Sequence, residues 1–429
     1  MIILKFLVSL LVTFGAIGAY AQNTCDIALY TEAEAKELYL HLKRNDSKSL
    51  TLETDRERGM LIHHLRNLAQ GRPLLIFTDA SYSQASGVVT MMKVLQEIES
   101  RFGIKVRIVV PEDFKRVLKT SYQNLVFAFP REQEVLNILE QENPFAVHIM
   151  VEGTLGRKVK SVLSKKGLPY TTAYHTDFPK YLASMVPIPV FKDVLSRVAY
   201  RVLRQFHRSS QGIMVPTDTM MKGLEENGFA DLETRKWSHG VDLVKFSPDL
   251  RDEHIYAGLQ RPISLFVGRV APEKNIETFL RMKNPGTKVV VGDGPQLESF
   301  RKKYPDVVFL GRRPHAEVPK YFASADVFVF PSLTDTFGLV LLEAAASGTP
   351  VLAFDWQGPR DAITSPLAGH LVEHHLKDSE ADIKNLEKGF EKALSLDRQE
   401  VRNYAENHSW EISLLEFLYF LSPIPEAGR

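Results

Sequence analysis

The stretch ADVFVFPSLTDTFGLVLLEAAASGTPVLAF, residues 325–354, decides the fold. It contains an apolar strand, a polar loop, an apolar helix and a second apolar strand, which is the pattern of one βαβ unit. The predicted helix covers Phe337–Ser347 and ends at Gly348. Glu343 interrupts its leucines and alanines, and a carboxylate in apolar surroundings is costly unless something bonds to it. Glu343 therefore indicates a bound polar ligand, with a solvated helix glutamate as the alternative.

The same alternation of strands and helices extends outward in both directions from this stretch. PISLFVGRV, TKVVVGDGP and VVFLGRR are strands of one series, and PLLIFTDA and IKVRIVVP are strands of an earlier one. The pattern predicts an α/β protein with two doubly wound parallel-sheet domains joined near residues 240–255. Ligands of such sheets bind outside the carboxyl ends of the strands.

Composition and charge exclude several classes of protein. The chain has 429 residues, 44% of them hydrophobic and 24% charged, and a formal net charge of +1. This balance gives no sign of nucleic-acid binding. The single cysteine, Cys25, excludes an intrachain disulfide and a cysteine-rich zinc site.

The N-terminus combines a lysine, an apolar run and small residues at Ala19 and Ala21, which is typical of a signal peptide over residues 1–21. An uncleaved membrane anchor is the alternative. A signal peptide suggests export or membrane association, whereas the cytoplasmic face of a membrane would fit the activated-sugar chemistry described below. We expect a charged helical extension over residues 22–72, domains over 73–243 and 244–405, and a C-terminal helix over 406–429.

Two cations in GRVAPEKNIE form a second anomaly in the same predicted domain. Arg269 follows a strand, and Lys274 is predicted in the first turn of a helix, where a cation opposes the helix dipole. An anion bound between them would explain this placement, because arginine and lysine together suit a diphosphate. With Glu343, whose carboxylate suits adjacent ribose hydroxyls, the pair predicts a nucleotide-diphosphate site. Main-chain amides at the start of the Glu343 helix, around Phe337, could meet phosphate or sugar oxygens.

From about residue 74 to residue 410 the sequence resembles the family-4 glycosyltransferases of the GT-B fold. The matching segments are IFTDASYSQASGVVTMM, YHTDFPKYL, SHGVDLVKFSP, GRVAPEKNIE, VGDGP and the TDTFG stretch with Glu343. TDTFG and GPRDAI are similar to the bacterial α-mannosyltransferase and sulfoquinovosyl transferase branch. The resemblance implies two Rossmann-like domains facing a central cleft, an N-terminal acceptor side and a C-terminal donor side.

The resemblance also implies roles for individual residues. By this resemblance, Glu343 would bind the ribose, Asp335 would bind the donor sugar and His175 would lie near the anomeric carbon. Arg269 and Lys274 would hold the diphosphate. The remaining expected donor contacts are Gly87, Gly311, Arg312, Phe337, Gly338 and Leu339.

Some of these residues have simpler interpretations, and the chain departs from the family pattern at three positions, of which Ser86 stands where relatives often have asparagine or glycine. Asp335 could cap a helix, Gly87 could form a loop turn and His175 could be a core histidine. Asp335 stands where the family has glutamate. His239 stands where close relatives often have arginine.

The resemblance implies transfer of a hexose from a nucleotide-diphosphate sugar, GDP-mannose or a UDP-sugar, with retention of anomeric configuration. The acceptor would be a lipid or glycan. No Asp-x-Asp motif is present, so we expect no metal and no cofactor. A catalytically inactive nucleotide- or carbohydrate-binding protein is the alternative. A dehydrogenase is disfavoured because Leu297 stands where the third fingerprint glycine belongs.

Two basic stretches bear on the acceptor. They are GRKVKSVLSKKG, residues 156–167, and SRVAYRVLRQFHRSS, residues 196–210. The second places Arg197, Arg201, Arg204 and Arg208 on one predicted helical face with apolar residues between them. This face could contact an anionic membrane, and a solvated basic face is the alternative.

Overall fold

The computed structural model describes residues 31–44, 50, 52, 54–84, 87–120, 126–179, 189–375 and 378–425. The predicted signal segment, residues 1–21, lies outside them. The chain divides into two compact units, one containing residues up to 85, 89–172 and those from 415 onward, the other residues 86–88 and 173–414. The domain boundaries expected from the sequence stay predictions.

Helices and short strands alternate through the first half of the described chain. They are α1 (Glu32–Arg44), α2 (Asp55–Ala69), β1 (Leu74–Phe77), α3 (Gly87–Phe102), β2 (Val106–Val109), β3 (Val117–Lys119), β4 (Val126–Ala128), α4 (Glu132–Glu142), β5 (Ala146–Ile149), α5 (Thr154–Lys166), β6 (Thr171–Ala173), α6 (Pro189–His207), β7 (Ile213–Val215), α7 (Asp218–Leu224) and β8 (Thr234–Lys236). Helix α2 begins at a capping box, in which Thr54 and Glu57 each bond the other's main-chain amide.

The second half repeats the alternation. Its elements are β9 (Ile263–Val267), α8 (Ile276–Arg281), β10 (Thr287–Val291), α9 (Leu297–Lys303), β11 (Val308–Gly311), α10 (Val318–Ser324), β12 (Val327–Phe330), α11 (Leu339–Ala346), β13 (Val351–Phe354), α12 (Pro359–Ala362), β14 (Gly369–Val372), α13 (Ser379–Leu394), α14 (Arg398–Glu406) and α15 (Trp410–Phe420). No helix in the described part of the chain has the length and apolarity needed to cross a membrane.

The first six-stranded sheet has the order β2-β1-β5-β6-β7-β8. Leu74 of β1 lies opposite Val106 of β2 on one side and Ala146 of β5 on the other, in parallel register. Chain order therefore reverses direction between β1 and β5. Such a reversal is a topological switch point, where the loops that leave two adjacent strands diverge.

Asp79, just beyond β1, fills this switch point. Its carboxylate accepts hydrogen bonds from the amides of Leu155 and Gly156, at 2.8 and 2.9 Å, and from the hydroxyl of Thr154. Burial raises the pKa of Asp79 despite these bonds. A Cβ on Gly153 would lie 2.3 Å from the Asp79 side chain, which explains the glycine there. Asp79 therefore caps the start of α5.

The second sheet has the order β11-β10-β9-β12-β13-β14 and is parallel throughout its paired strands. Strand β9 lies between β10 and β12, so the switch point falls between β9 and β12. The strand side chains are buried against helices, which accounts for their near-continuous apolar sequences. The two parallel sheets confirm the α/β class and the doubly wound pattern.

Two predicted helix starts are wrong. The helix that carries Glu343 begins at Leu339 rather than Phe337, because Gly338 has a φ of +86° and cannot belong to a right-handed helix. The helix expected to include Lys274 is split. Residues Pro272–Lys274 form one 3₁₀ turn, and Asn275, with a φ of +51°, separates it from α8.

Candidate functional site

The candidate site consists of loops that leave the carboxyl ends of β9 and β12. These strands are neighbours, although β10 and β11 lie between them in sequence. The loop after β9 contains Arg269 and Lys274, and the loop after β12 contains Asp335. Because parallel strands end at the same edge, the switch point brings together Lys274 and Asp335, which are 61 residues apart in sequence.

The loop after β10 supports the loop after β9. The amide of Val270 donates to the carbonyl of Asp293 at 2.9 Å, and the amide of Gln296 donates to the carbonyl of Val270 at 3.1 Å. A Cβ on Gly292, which has a φ of +146°, would lie 1.8 Å from the carbonyl oxygen of Gly268. The glycines of VGDGP therefore permit close packing of two loops.

Lys274 forms an ion pair with Asp335. Its Nζ lies 2.6 Å from Asp335 Oδ1, and the two side chains are 22% and 19% exposed. Arg269 is instead half exposed and pairs with Glu273 at 3.2 Å. The structure thus brings Lys274 and Asp335 into contact and gives Arg269 a different acidic partner.

The second oxygen of Asp335, Oδ2, is buried and has no hydrogen-bond partner among the described residues. The capping interpretation of Asp335 is wrong, because the cap residue of α11 is Gly338 and no side chain bonds to its first amides. The amide of Leu341 donates to the carbonyl of Gly338 at 2.9 Å, so the amides of Leu339 and Val340 are the ones that have no acceptor within the helix. A buried carboxylate oxygen and a helix start thus lie four residues apart in sequence.

Further contacts fix the loop that carries Asp335. Asn275 donates to the carbonyl of Pro331 at 3.2 Å, and the hydroxyl of Thr334 donates to the carbonyl of Glu273 at 3.0 Å. Gly358, with a φ of +94°, packs on the main chain of Asp335, where a Cβ would lie 2.4 Å from the carbonyl oxygen. The segment GPRDAI therefore positions Asp335.

Glu343 lies in the middle of α11, where its neighbours Leu342 and Ala344 are fully buried. The half-buried carboxylate receives no hydrogen bond from the described residues. Burial raises its pKa to about 7, and the nearby positive charge of Lys245 opposes this rise. Lys245 Nζ itself contacts Nδ1 of His315. A carboxylate with a raised pKa and no fixed donor is suited to receive donors from a ligand.

A cluster of aromatic rings adjoins the loop that carries Asp335. The ring of His175 lies 5.4 Å from Trp237 and 6.1 Å from His239, and His239 lies 5.1 Å from Phe337. The hydroxyl of Thr336 donates to the carbonyl of His175 at 3.2 Å. His175 is therefore held beside the segment Asp335–Gly338, within one compact unit of the chain.

The other predicted donor contacts have less distinctive surroundings. Gly87 is the first residue of α3, and a Cβ there would meet no atom within 4 Å. Gly311 ends β11 with a φ of +71°, and Arg312 is exposed. Phe337 is buried in the apolar core and Leu339 packs against that core, so their side chains serve packing. Only their main-chain atoms are suited to meet a ligand.

Sequence reasoning missed several residues of this region. Glu273 pairs with Arg269, Lys245 faces Glu343, and Gly358 supports Asp335. A signal existed only for Gly358, since a glycine followed by proline after a strand indicates a special backbone conformation. Nowhere in the described ranges do three or more His, Cys, Asp or Glu residues form a group that could hold a metal ion.

Two family models match the chain. Residues 261–388 match a model described as Glycosyl transferases group 1, and residues 85–245 match one described as Glycosyltransferase Family 4. Together they include every predicted site residue.

Curated relatives agree with these models. A GDP-mannose-dependent alpha-mannosyltransferase of Mycobacterium tuberculosis is 34% identical over 259 residues, which is 58% of this chain and 67% of the relative. The sulfoquinovosyl transferase SQD2 of Arabidopsis thaliana is 27% identical over 328 residues, which is 71% of this chain and 63% of the relative.

Solved structures confirm the GT-B fold. A sucrose-phosphate synthase from Thermosynechococcus elongatus aligns with a TM-score of 0.62 and 20% identity over 81% of this chain and 97% of its own. WaaG, a glycosyltransferase involved in lipopolysaccharide biosynthesis, aligns with a TM-score of 0.56 and 19% identity over 80% of this chain and 98% of its own.

Proposed function

The chain belongs to the group 1, family-4 glycosyltransferases and is therefore a transferase enzyme, and we propose that it moves a hexose from a nucleotide-diphosphate sugar to a lipid or glycan acceptor. The donor sugar is attached to GDP or UDP, and mannose from GDP-mannose is the first candidate because two relatives are named GDP-mannose-dependent mannosyltransferases.

The Lys274–Asp335 ion pair is the observation that carries this proposal. The lysine neutralises one carboxylate oxygen, while the other is buried and has no partner among the residues that the structure describes. A donor would satisfy both residues at once, since its diphosphate attracts Lys274 and its sugar hydroxyls donate to Asp335. A buried polar atom without a partner is uncommon in proteins, and bound ligands often provide that partner.

Charge on the leaving group explains the other cation. As the anomeric C–O bond breaks, negative charge grows on the diphosphate, and preorganised donors stabilise it most strongly where it develops. Arg269 would move from Glu273 to the diphosphate, which its half-exposed side chain permits. The first amides of α11 provide further donors at the same place.

Retention is proposed by front-face attack. The acceptor oxygen bonds to the anomeric carbon as the C–O bond to the diphosphate breaks, and the acceptor's hydroxyl proton passes to a phosphate oxygen of the leaving diphosphate. GDP-mannose carries an α linkage, and the relatives are named alpha-mannosyltransferases, so an α product here would mean retention. This step needs no protein base and no covalent intermediate.

Glu343 would hold the nucleotide's ribose. Its carboxylate lies on α11, the helix whose start would meet the diphosphate, and it lacks a donor among the described residues. Two adjacent ribose hydroxyls can donate to the two carboxylate oxygens. Ionised carboxylates accept such bonds strongly, so nucleotide binding would pull the Glu343 pKa down from about 7.

Helix α6 supports contact with an anionic membrane beside a lipid acceptor. Val194, Val198 and Val202 lie four residues apart and are 51%, 49% and 40% exposed. Arg197 and Arg201 are exposed on the adjacent row. Arg204, expected on the same face, instead pairs with Asp231 at 2.5 Å. An apolar row flanked by arginines suits the interface of an anionic bilayer better than water.

Sedimentation with lipid vesicles tests the helix α6 surface. Binding is expected to vesicles of phosphatidylglycerol and phosphatidylcholine, and not to phosphatidylcholine alone. Val194→Ser with Val198→Ser should weaken it, whereas Leu367→Ser, which alters an exposed leucine elsewhere, should not. No binding of the wild type to the anionic vesicles would support a merely solvated basic face.

A thermal-shift panel of GDP-mannose, UDP-glucose and UDP-galactose, followed by turnover assays on each stabilising donor, tests the activity. Release of free nucleotide that depends on an added glycan or lipid acceptor supports the proposal. Turnover should persist in a chelator, because no metal is proposed. Stabilisation by a donor without nucleotide release under any acceptor would favour the alternative, an inactive binding protein of the same fold.

A further inference from the structure

His239 is a buried polar side chain without hydrogen-bond partners. It is 8% exposed, and neither Nδ1 nor Nε2 bonds to any described residue. Buried side-chain polar atoms almost always have a partner, because leaving one unpaired forfeits its bond with water. Both ring nitrogens are unpaired here, so packing alone does not account for a histidine.

The position of His239 links it to the candidate donor site. Its ring lies nearly parallel to that of His175, at 27° and 6.1 Å, and edge-on to Phe337 at 5.1 Å. Phe337 is two residues from Asp335, whose Oδ2 is also buried and unpaired. Among the described residues, polar atoms without a partner therefore lie at Asp335 and beside Phe337, two positions apart in sequence.

We propose that His239 contacts the transferred sugar and hydrogen-bonds one of its hydroxyl groups. This inference rests on the function proposed above and adds to it a residue that selects the sugar. A hydroxyl both donates and accepts, and a neutral imidazole offers one donor and one acceptor, so the two groups match.

The chemistry of the pocket favours a hydroxyl over a phosphate oxygen as the partner. A phosphate needs donors only and binds best to a cation. Burial, together with the neighbouring His175, lowers the pKa of His239 to about 3, so its ring stays neutral. Arginine at this position would instead favour an anion, and this chain has histidine.

Calorimetry on the full chain tests the inference with pairs of ligands that differ by the sugar. GDP-mannose is compared with GDP, and UDP-glucose with UDP, using whichever pair binds the wild type. His239→Phe removes both nitrogens and keeps a ring of similar shape. It should weaken binding of the nucleotide sugar about tenfold, as loss of one hydrogen bond commonly does. The affinity for the free nucleotide should change less than about twofold. His239→Asn should restore part of the affinity.

His207→Phe is the matched control, because His207 is also buried among aromatic rings of the same unit. It should alter neither ligand's affinity. Equal losses of sugar nucleotide and free nucleotide in His239→Phe, or no loss of either, would overturn the inference. A wild type that binds neither pair would instead refute the proposed function, so the two failures are distinguishable.

Discussion

Asp79 and Asp335 each lie at the switch point of a six-stranded sheet, and their surroundings are opposite. Each follows a strand at the switch point of its own six-stranded sheet, β1 in one and β12 in the other. Asp79 accepts two main-chain amides and a hydroxyl, all from the start of α5. Asp335 has one oxygen on Lys274 and the other buried without a partner among the described residues.

The difference teaches that location at a switch point does not by itself make a ligand site. At the first switch point the fold supplies every partner that the carboxylate needs, so Asp79 serves stability. At the second, the partners are incomplete, and the one that the described residues supply is the ammonium group of Lys274. A ligand can improve the surroundings of Asp335 and cannot improve those of Asp79.

Among these substitutions, Lys274→Ala should lower the activity of the site at the second switch point most. Loss of a preorganised charge beside the leaving group should lower turnover at least about a hundredfold, measured as release of free nucleotide. Lys303→Ala is the control, because Lys303 also pairs with a carboxylate, that of Glu277, but on the surface. It should stay within about twofold of wild type. A Lys274 variant within a few-fold of wild type would remove the lysine from the mechanism.

Exchanging each aspartate for asparagine compares the two sites directly. Asp335→Asn should lower kcat/KM about thirtyfold and leave the melting temperature nearly unchanged, because the carboxylate would act mainly on the donor. Asp79→Asn should lower the melting temperature, since weakening a helix cap costs about 1 kcal/mol, and leave kcat/KM within about twofold. The reverse result would show that the hydrogen-bond partners of the two aspartates do not distinguish a helix cap from a ligand contact.

Glu343→Gln should lower the affinity for GDP or UDP, whichever binds, about tenfold, because an amide accepts only one strong bond from the ribose diol. Calorimetry measures this affinity. The 2′-deoxy nucleotide should bind wild type with a similar loss and lose little more in the variant. Coupling in this double cycle would locate the contact. Additive losses would mean that Glu343 only packs within α11.

The smallest expected effect is a pH dependence. Because the pKa of Glu343 is raised to about 7, its ionised fraction grows between pH 6 and 8. If the ribose binds the ionised form, affinity for the nucleotide sugar should rise severalfold over this range in wild type and stay flat in Glu343→Gln. In the unliganded protein, Glu343 makes the stability of the fold fall, not rise, as the pH increases. The stability contributed by protonated Glu343 is present below its ordinary pKa and is lost as the pH rises through about 7. A thermal melt series checks both trends.

Sequence predicted the strands and singled out Glu343 as a candidate, because apolar periodicity and a lone charge in an apolar helix are local signals. It did not predict the Lys274–Asp335 pair, which depends on β9 lying beside β12 with two other strands displaced to one side. It misplaced the start of α11 because the left-handed backbone of Gly338 replaces the expected helical turn.

The two aspartates illustrate the same limit. Both stand after an apolar strand and before a helix, so the local sequence predicts a helix cap and a ligand contact equally well for each of them. Their difference lies in contacts with residues 61 to 77 positions away. His239 was visible only as a departure from the family pattern, and its lack of partners required the structure.

The Lys274–Asp335 pair has a consequence for discrimination among ligands that contain phosphate. A free cation would attract every phosphate ester, but Lys274 is already neutralised at 2.6 Å. An incoming anion that withdraws the lysine leaves the carboxylate isolated, which raises the free energy of that complex. Only a ligand that brings hydroxyl groups together with its diphosphate provides new partners for both Asp335 and Lys274. We therefore expect inorganic phosphate, which brings no sugar hydroxyl groups, to compete poorly for this pair.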